Sequence, residues 1–264
     1  MYDFAYRRPA SLADAVNALK AASDGKLLAG GMTLIPTLKQ RLASPSDLID
    51  LAGIAELKGI KAAGDMLTVG ALATHAEVAA AAAAAQTIPA LAALAESIGD
   101  PQVRHRGTIG GSIANNDPAA DYPAAVLALG ATVRTDRRKI AADDFFTGMF
   151  ETALDDGEIV VAVDFPKPEK ACYMKFPNPA SRYAMVGVFV ARAGGKVRVA
   201  VTGAAPCVFR HTEMEKALGA KFASDAIKSI KVSPDGLNSD IHGSAEYRAH
   251  LISVMAQRAV AACA

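Results

Sequence analysis

With 264 residues, the chain is long enough for one large domain or two modest ones with a substantial core. A hydrophobic fraction of 52% with 21% charged residues marks a globular rather than a disordered chain, and a net charge of +1 gives no field to draw in nucleic acid or an anionic membrane. Tryptophan is absent, which argues further against base-stacking surfaces; Cys172, Cys207 and Cys263 are too scattered for a disulfide framework, an iron–sulfur cluster or a zinc site.

The opening Met1 to Pro9 has neither the apolar run nor the cleavage site of a secretion signal, and a reducing cytoplasm is the expected compartment. Ser11 is placed to cap an amphipathic helix through about Ala22, with Leu12, Ala15, Val16 and Leu19 on one face. Lys26 to Ala29 reads as a short buried strand running into Gly30-Gly31, and Leu34 to Gln40 as a short helix. Asp47 to Leu51 and Met66 to Gly70 are further predicted strands. Thr74 and Glu77 form a capping-box pattern. Val78 to Ala95 carries no charge, but alanine is too weakly apolar to insert readily; two helices broken at Pro89 are expected, the second reaching Ile98, and no transmembrane segment.

Asp100 to Arg106 is polar and reads as a loop leading to a second glycine pair. Pro123 to Leu129 is a predicted helix closed by Gly130, followed by a strand from Ala131 and another over Ile159 to Phe165. Pro166-Lys167-Pro168 is the expected domain boundary. Beyond it lie strands at Cys172–Phe176, Val186–Arg192 and Val197–Gly203, a hairpin at Gly194-Gly195, and helices near Thr212–Leu218 and Ala245–Ala262. The organisation is α+β: a domain over 1–166, itself divided at about residues 54 and 55, and a smaller α+β domain over 169–264.

Two glycine-rich stretches carry the chemistry: Ala29-Gly30-Gly31-Met32-Thr33-Leu34 and Thr108-Ile109-Gly110-Gly111-Ser112-Ile113-Ala114-Asn115. Without a Cβ the backbone can approach a bulky anion and turn its N–H groups toward phosphate oxygens. Two such stretches could clasp one pyrophosphate, which suggests a dinucleotide; either pair alone more often marks an ordinary turn. Neither has the glycine spacing of a Rossmann fingerprint or the Gly-Lys-Ser/Thr of an NTPase loop, and no nucleophile elbow or metal-ligand histidine pair occurs.

The stretch Gly99 to Pro123, reading GDPQVRHRGTIGGSIANNDPAADYP, resembles the second FAD loop of the molybdenum hydroxylases, and Ala29 to Pro36 resembles the first. With Phe4–Pro9 and Ser181–Val188 the likeness spans essentially the whole chain, and points to the FAD-binding medium subunit of that family, in particular the aerobic carbon monoxide dehydrogenase type. It implies an FAD domain of the p-cresol methylhydroxylase/vanillyl-alcohol-oxidase fold followed by a small α+β domain. It also implies a partner small subunit with two [2Fe–2S] clusters, a partner large subunit with the molybdenum cofactor, and a dimer of heterotrimers. Electrons would pass from molybdenum through the clusters to FAD here, and on to a quinone, NAD or oxygen. The alternatives are a stand-alone flavoprotein of the same fold and a cofactor-free assembly module.

By the same resemblance, Ala29, Gly30, Gly31, Met32 and Thr33, with Leu28 and Leu34 flanking, and Thr108, Ile109, Gly110 and Gly111 wrap the FAD pyrophosphate and its neighbourhood. Asn115, Asp117 and Asp121 fall at cofactor-contact positions; Asp121 would accept from an adenosine hydroxyl, or else cap the Pro123 helix. Lys26 and Lys175 are candidates for charge near phosphate or flavin, against the alternative of solvated surface lysines. Arg104 and Arg106 flank the loop and are read as surface residues. Val160 would meet the cofactor through strand backbone, Ile98 as an aliphatic wall, and Tyr183 beside the isoalloxazine or as a core aromatic. His75 and His105 are read as surface or satisfied core residues, with no covalent flavin link, and Asp144 and Glu158 as ordinary turn and strand-edge residues. No residue is assigned a catalytic or metal-binding role.

Overall fold

The computed structural model describes residues 1–263. The first unit runs β1 (Ala5–Arg7), α1 (Leu12–Ala21), β2 (Gly25–Leu28), α2 (Leu34–Lys39) and β3 (Asp47–Asp50), with the strands in a parallel sheet ordered β1-β3-β2. Ser11 starts α1 by accepting a hydrogen bond from the Asp14 amide at 3.1 Å, and Ala15 turns inward onto Ile49 and Leu51.

The second unit opens with the hairpin β4 (Ile60–Ala63) and β5 (Met66–Gly70). Six helices follow: α3 (His75–Ala80), α4 (Ala82–Thr87), α5 (Pro89–Glu96), α6 (Pro101–Arg104), α7 (Ile109–Asn115) and α8 (Tyr122–Ala128). β6 (Thr132–Thr135), β7 (Lys139–Ala141), α9 (Ala142–Phe145), β8 (Phe146–Gly148), β9 (Glu151–Thr152) and β10 (Val160–Pro166) complete it. The sheet is antiparallel, in the order β4-β5-β10-β6-β7. Every residue of α8 is buried.

Three expectations need correction here. The alanine-rich stretch breaks at Ala81 as well as before Pro89: Ala81 is extended (φ −68°, ψ 120°), which turns α4 across β4 and β5 and buries Ala84 completely. The Asp100–Arg106 segment is not all loop. Asp100 caps the Val103 amide at 2.8 Å and Pro101 sits at the first helical position, so a short helix forms. The second glycine pair is likewise the first turn of α7, capped by Thr108.

The third unit is an antiparallel sheet of β11 (Lys170–Pro177), β12 (Ala184–Ala193), β13 (Lys196–Thr202) and β14 (Phe209–Arg210), in that order, with α10 (Thr212–Ala220) and α11 (Ala245–Ala262). Gly194 and Gly195, at φ +55° and +74°, make the β12–β13 hairpin. β12 reads as a continuous apolar run because both its faces are covered. Val186, Val188 and Val190 meet α10 and α11, whereas Phe189 and Ala191 join the cluster under α5 and α8. One core therefore crosses the Pro166–Pro168 connection. No helix among the described residues is long and apolar enough to cross a membrane.

Candidate functional site

A cleft of about 610 Å³ opens where the three units meet. Its size suits a cofactor of FAD's class, since such sites span roughly 300–1,000 Å³. One wall is the turn after β2, a second the start of α7, a third the start of β10, and the mouth is closed by the β11–β12 loop.

The first motif leaves β2 after Leu28 and re-enters helix at Leu34, with Gly31 at φ +74°. Among the described residues, the amides of Gly30, Gly31, Met32, Thr33 and Leu34 have no protein acceptor, and all five residues line the cleft. Consecutive unpaired amides in a turn form an anion-binding concavity. This is the chemistry a diphosphate needs.

The second motif differs from its expected role. Ile109 donates to the Ala73 carbonyl at 3.1 Å, Gly110 to the Ala71 carbonyl at 2.9 Å, and Gly111 to Thr108 Oγ1 at 3.1 Å. These amides are committed within the protein. Gly110 is glycine because a Cβ would stand 2.6 Å from the Ala71 methyl. Thr108, Gly110, Gly111 and Asn115 still form cleft wall, as does Ser112, whereas Ile109 is fully buried behind it. The two motifs touch directly: a Cβ on Gly30 would overlap the Arg106 carbonyl oxygen and lie 2.9 Å from Gly107 Cα. Gly30 therefore serves close backbone packing as well as cofactor access.

Lys26 and Ala29 line the cleft, and Leu28 lies outside its lining. Lys26 pairs with Asp24 at 3.2 Å. Ile98, Asp117 and Val160 are also lining residues, and Asp117 accepts from the Ala119 amide at 2.8 Å. Tyr183 stands at the mouth with 51% of its surface exposed, so it is not a core aromatic. Its loop is held tightly: Asn178 Oδ1 accepts from Ala180 and Ser181, while Arg182 takes a left-handed φ of +63°.

Asp121 lines the cleft but does not cap α8. Its carboxylate instead accepts from Tyr173 Oη at 2.5 Å and Lys175 Nζ at 3.1 Å. Burial pushes the Asp121 carboxyl upward, opposed by the Lys175 charge and the Tyr173 hydrogen bond. Lys175 is neither a solvated surface lysine nor a cleft residue. Its side chain is 7% exposed and also donates to the Ser97 carbonyl at 3.0 Å.

Other readings change too. Arg104 is no simple surface arginine, since its guanidinium donates to the Ile98 and Gly99 carbonyls at 3.0 and 3.3 Å; Arg106 is exposed. His75 lines the cleft, is 5% exposed, and has no partner for Nδ1 among the described residues. Burial, aided by the Arg104 charge, lowers its imidazole to about 4, so it is neutral at pH 7. Glu158 is no ordinary strand-edge residue: it lines the cleft and is buried, accepting from Thr135 Oγ1, Arg138 and the Asp155 amide. The Arg138 hydrogen bond, outweighing burial, holds its carboxyl at about 2. Asp144 is exposed in α9. Leu51, Leu72 and Leu154 complete the apolar lining with no local sequence signal; Ser112 and Arg182 lay inside the motifs already singled out.

The FAD binding domain in molybdopterin dehydrogenase matches residues 2–168. The nicotine 6-hydroxylase medium subunit of Paenarthrobacter nicotinovorans is 36% identical, over 97% of this chain and 95% of that protein. The carbon monoxide dehydrogenase medium chain of Hydrogenophaga pseudoflava is 34% identical, over 97% and 96%. The solved structure of reconstituted CO dehydrogenase from Oligotropha carboxidovorans superposes with a TM-score of 0.89 at 34% identity, covering 99% of this chain and 97% of that one. Unpaired amides beside an apolar cleft fit the flavin dinucleotide that these likenesses specify. The chain belongs to the molybdenum hydroxylase family as an FAD-binding medium subunit of the carbon monoxide dehydrogenase-like type, the flavoprotein component of an oxidoreductase.

Proposed function

We propose that this subunit takes electrons from the [2Fe–2S] clusters of a small partner subunit, fed by a large molybdenum-cofactor subunit, and delivers them through FAD to an external acceptor. FAD supplies the chemistry of accepting electrons singly and releasing them in pairs. The chain's residues bind, orient and shield. The Gly30–Leu34 amides hold the diphosphate in place of a cationic cluster, since the cleft's acids Asp100, Asp117, Asp121 and Glu158 outnumber Lys26 and Arg182. Ile98, Val160 and Leu154 exclude water from the apolar portion, and half-exposed Tyr183 marks the side open to an acceptor. The assembly would be a dimer of heterotrimers in the cytoplasm, with this chain divided into an FAD domain (1–166) and a C-terminal domain (169–264).

The run of free amides in the first motif carries this reading, and it favours a flavin carrier over a cofactor-free assembly module. Co-expression with molybdenum and iron–sulfur subunits tests it. A yellow complex with iron and molybdenum, whose flavin bleaches on addition of an oxidisable substrate, is the expected result. Flavin that reduces equally well without those partners would establish a stand-alone flavoprotein instead, and a colourless complex would establish the assembly module.

A further inference from the structure

His75 opens α3 and lines the cleft, and its backbone is fixed to the segment that enters the second motif. Its amide donates to the Gly107 carbonyl at 3.0 Å, and the Ile109 amide donates to the Ala73 carbonyl at 3.1 Å, on either side of a bridge between Thr74 and Thr108. The imidazole lies against Gly107, where a Cβ would stand 2.6 Å from Nε2. Gly107 in turn lies against Gly30, whose own Cβ would stand 2.9 Å from Gly107 Cα. Ring, Gly107 and Gly30 therefore stack in series, and all three line the cleft where the free amides of the first motif begin.

The same ring packs on Tyr122, with centroids 5.4 Å apart and a tilt of 46°. Two polar atoms of this pair have no partner among the described residues: His75 Nδ1 and Tyr122 Oη, on side chains of residues 5% and 0% exposed. Groups buried this deeply are ordinarily satisfied, and apolar residues of similar shape would avoid the cost of leaving them unpaired. The fold itself does not call for a polar pair here. The cations close by are already engaged, Arg104 with the Ile98 and Gly99 carbonyls and Lys26 with Asp24. That leaves a neutral imidazole as an uncommitted hydrogen-bonding group beside the amide turn.

We propose that His75 is a further cofactor-binding residue, on the reading that the Gly30–Leu34 amides hold the diphosphate of FAD. Its Nε2–H donates to a diphosphate oxygen, while the Tyr122 hydroxyl donates to Nδ1, directly or through one water. A neutral imidazole has one donor and one acceptor nitrogen, so a donor at Nδ1 keeps the proton on Nε2, the nitrogen on the Gly107 side. His75 thus extends the row of amide donors without burying a second positive charge beside Arg104.

The test titrates FAD, and separately ADP, into the deflavinated full chain near neutral pH, and records the Tm of each ligand-free variant. His75→Leu should weaken both ligands about tenfold, because ADP shares the diphosphate, while the ligand-free Tm stays level or rises as an unpaired polar group is removed. His75→Gln, whose side-chain amide restores a donor, should recover affinity to within about threefold of the unaltered chain. In the FAD-loaded chain labelled with 15N-histidine, His75 should appear as the Nε2-protonated tautomer, and Tyr122→Phe should mix the two tautomers. Affinity lost in step with Tm, a loss for FAD but not for ADP, no rescue by His75→Gln, a His75 protonated on Nδ1, or tautomers that Tyr122→Phe leaves unmixed would each overturn the proposal. Affinity untouched by His75→Leu would overturn it alone; an unaltered chain that binds neither ligand would overturn the diphosphate reading with it.

Discussion

The two glycine motifs look alike in sequence, yet they perform different physical tasks. The first leaves five successive amides unpaired over a cleft, whereas the second commits Ile109, Gly110 and Gly111 to protein acceptors. Glycine at Gly31 permits a left-handed turn that displays donors; glycine at Gly110 lets α7 approach the Ala71 backbone. Composition alone does not distinguish a site that receives a ligand from one that supports it. The identity of each amide's acceptor does.

The largest effect should come from Gly30→Val or Gly110→Val. Branched side chains there would overlap the Arg106 carbonyl and the Ala71 backbone. A cost of about 4 kcal/mol or more is expected, a fall in Tm of roughly 10 °C in a scan of the full chain. These substitutions should therefore remove FAD by loosening the fold as well as the cradle. An unchanged Tm would show that the two motifs do not press together.

The next effect is a pH dependence set by His75, whose amide donates to the Gly107 carbonyl at 3.0 Å just ahead of the second motif. Its folded value near 4 lies below the ordinary histidine value of 6.5. The unfolded chain therefore binds the extra proton first, and stability falls as pH drops from about 6.5 to 4, then levels off for this group. The span corresponds to up to about 3 kcal/mol. Unfolding midpoints across that window measure it, and His75→Leu should flatten the curve.

Gly31→Ala is more selective. At φ +74° an alanine carries a penalty of about 1–2 kcal/mol, and its methyl would press on Ile35. Because the strain falls on the turn that displays the free amides, FAD affinity should weaken about tenfold, read by titrating FAD into the deflavinated chain. Thr108→Ala should have the smallest effect. It removes the cap on Gly111 at a cost of about 1 kcal/mol and should leave the FAD affinity near its original value. If Thr108→Ala loosens FAD more than Gly31→Ala does, the division of labour between the motifs is reversed.

Much of the fold was legible because it is local. The Thr74–Glu77 capping box, Pro89 at the start of α5, the Gly194-Gly195 hairpin and the ends of α11 each follow from neighbouring residues. The α6 turn had its signals too, in Asp100 and Pro101, but they were outweighed by the polar composition around them. What could not be read was set by distant chain. The carbonyls of Ala71 and Ala73, just beyond β5, decide that the amides of Gly110 and Ile109 are not free. Lys175 is buried only because Asp121 and Ser97 await it, and Asp121 abandons a capping role because Tyr173 and Lys175 claim its carboxylate. The cleft residues Leu51, Leu72 and Leu154 come from three separate segments of the chain and carry no pattern of their own.

The contact between Gly30 and the Arg106–Gly107 backbone also bears on biosynthesis. A nascent polypeptide that has emerged only as far as α2 carries the amide turn without the surface that braces it. Flavin loading must then wait until the ribosome has released the Gly107 segment, and a translation product truncated before that point should emerge unable to retain its coenzyme.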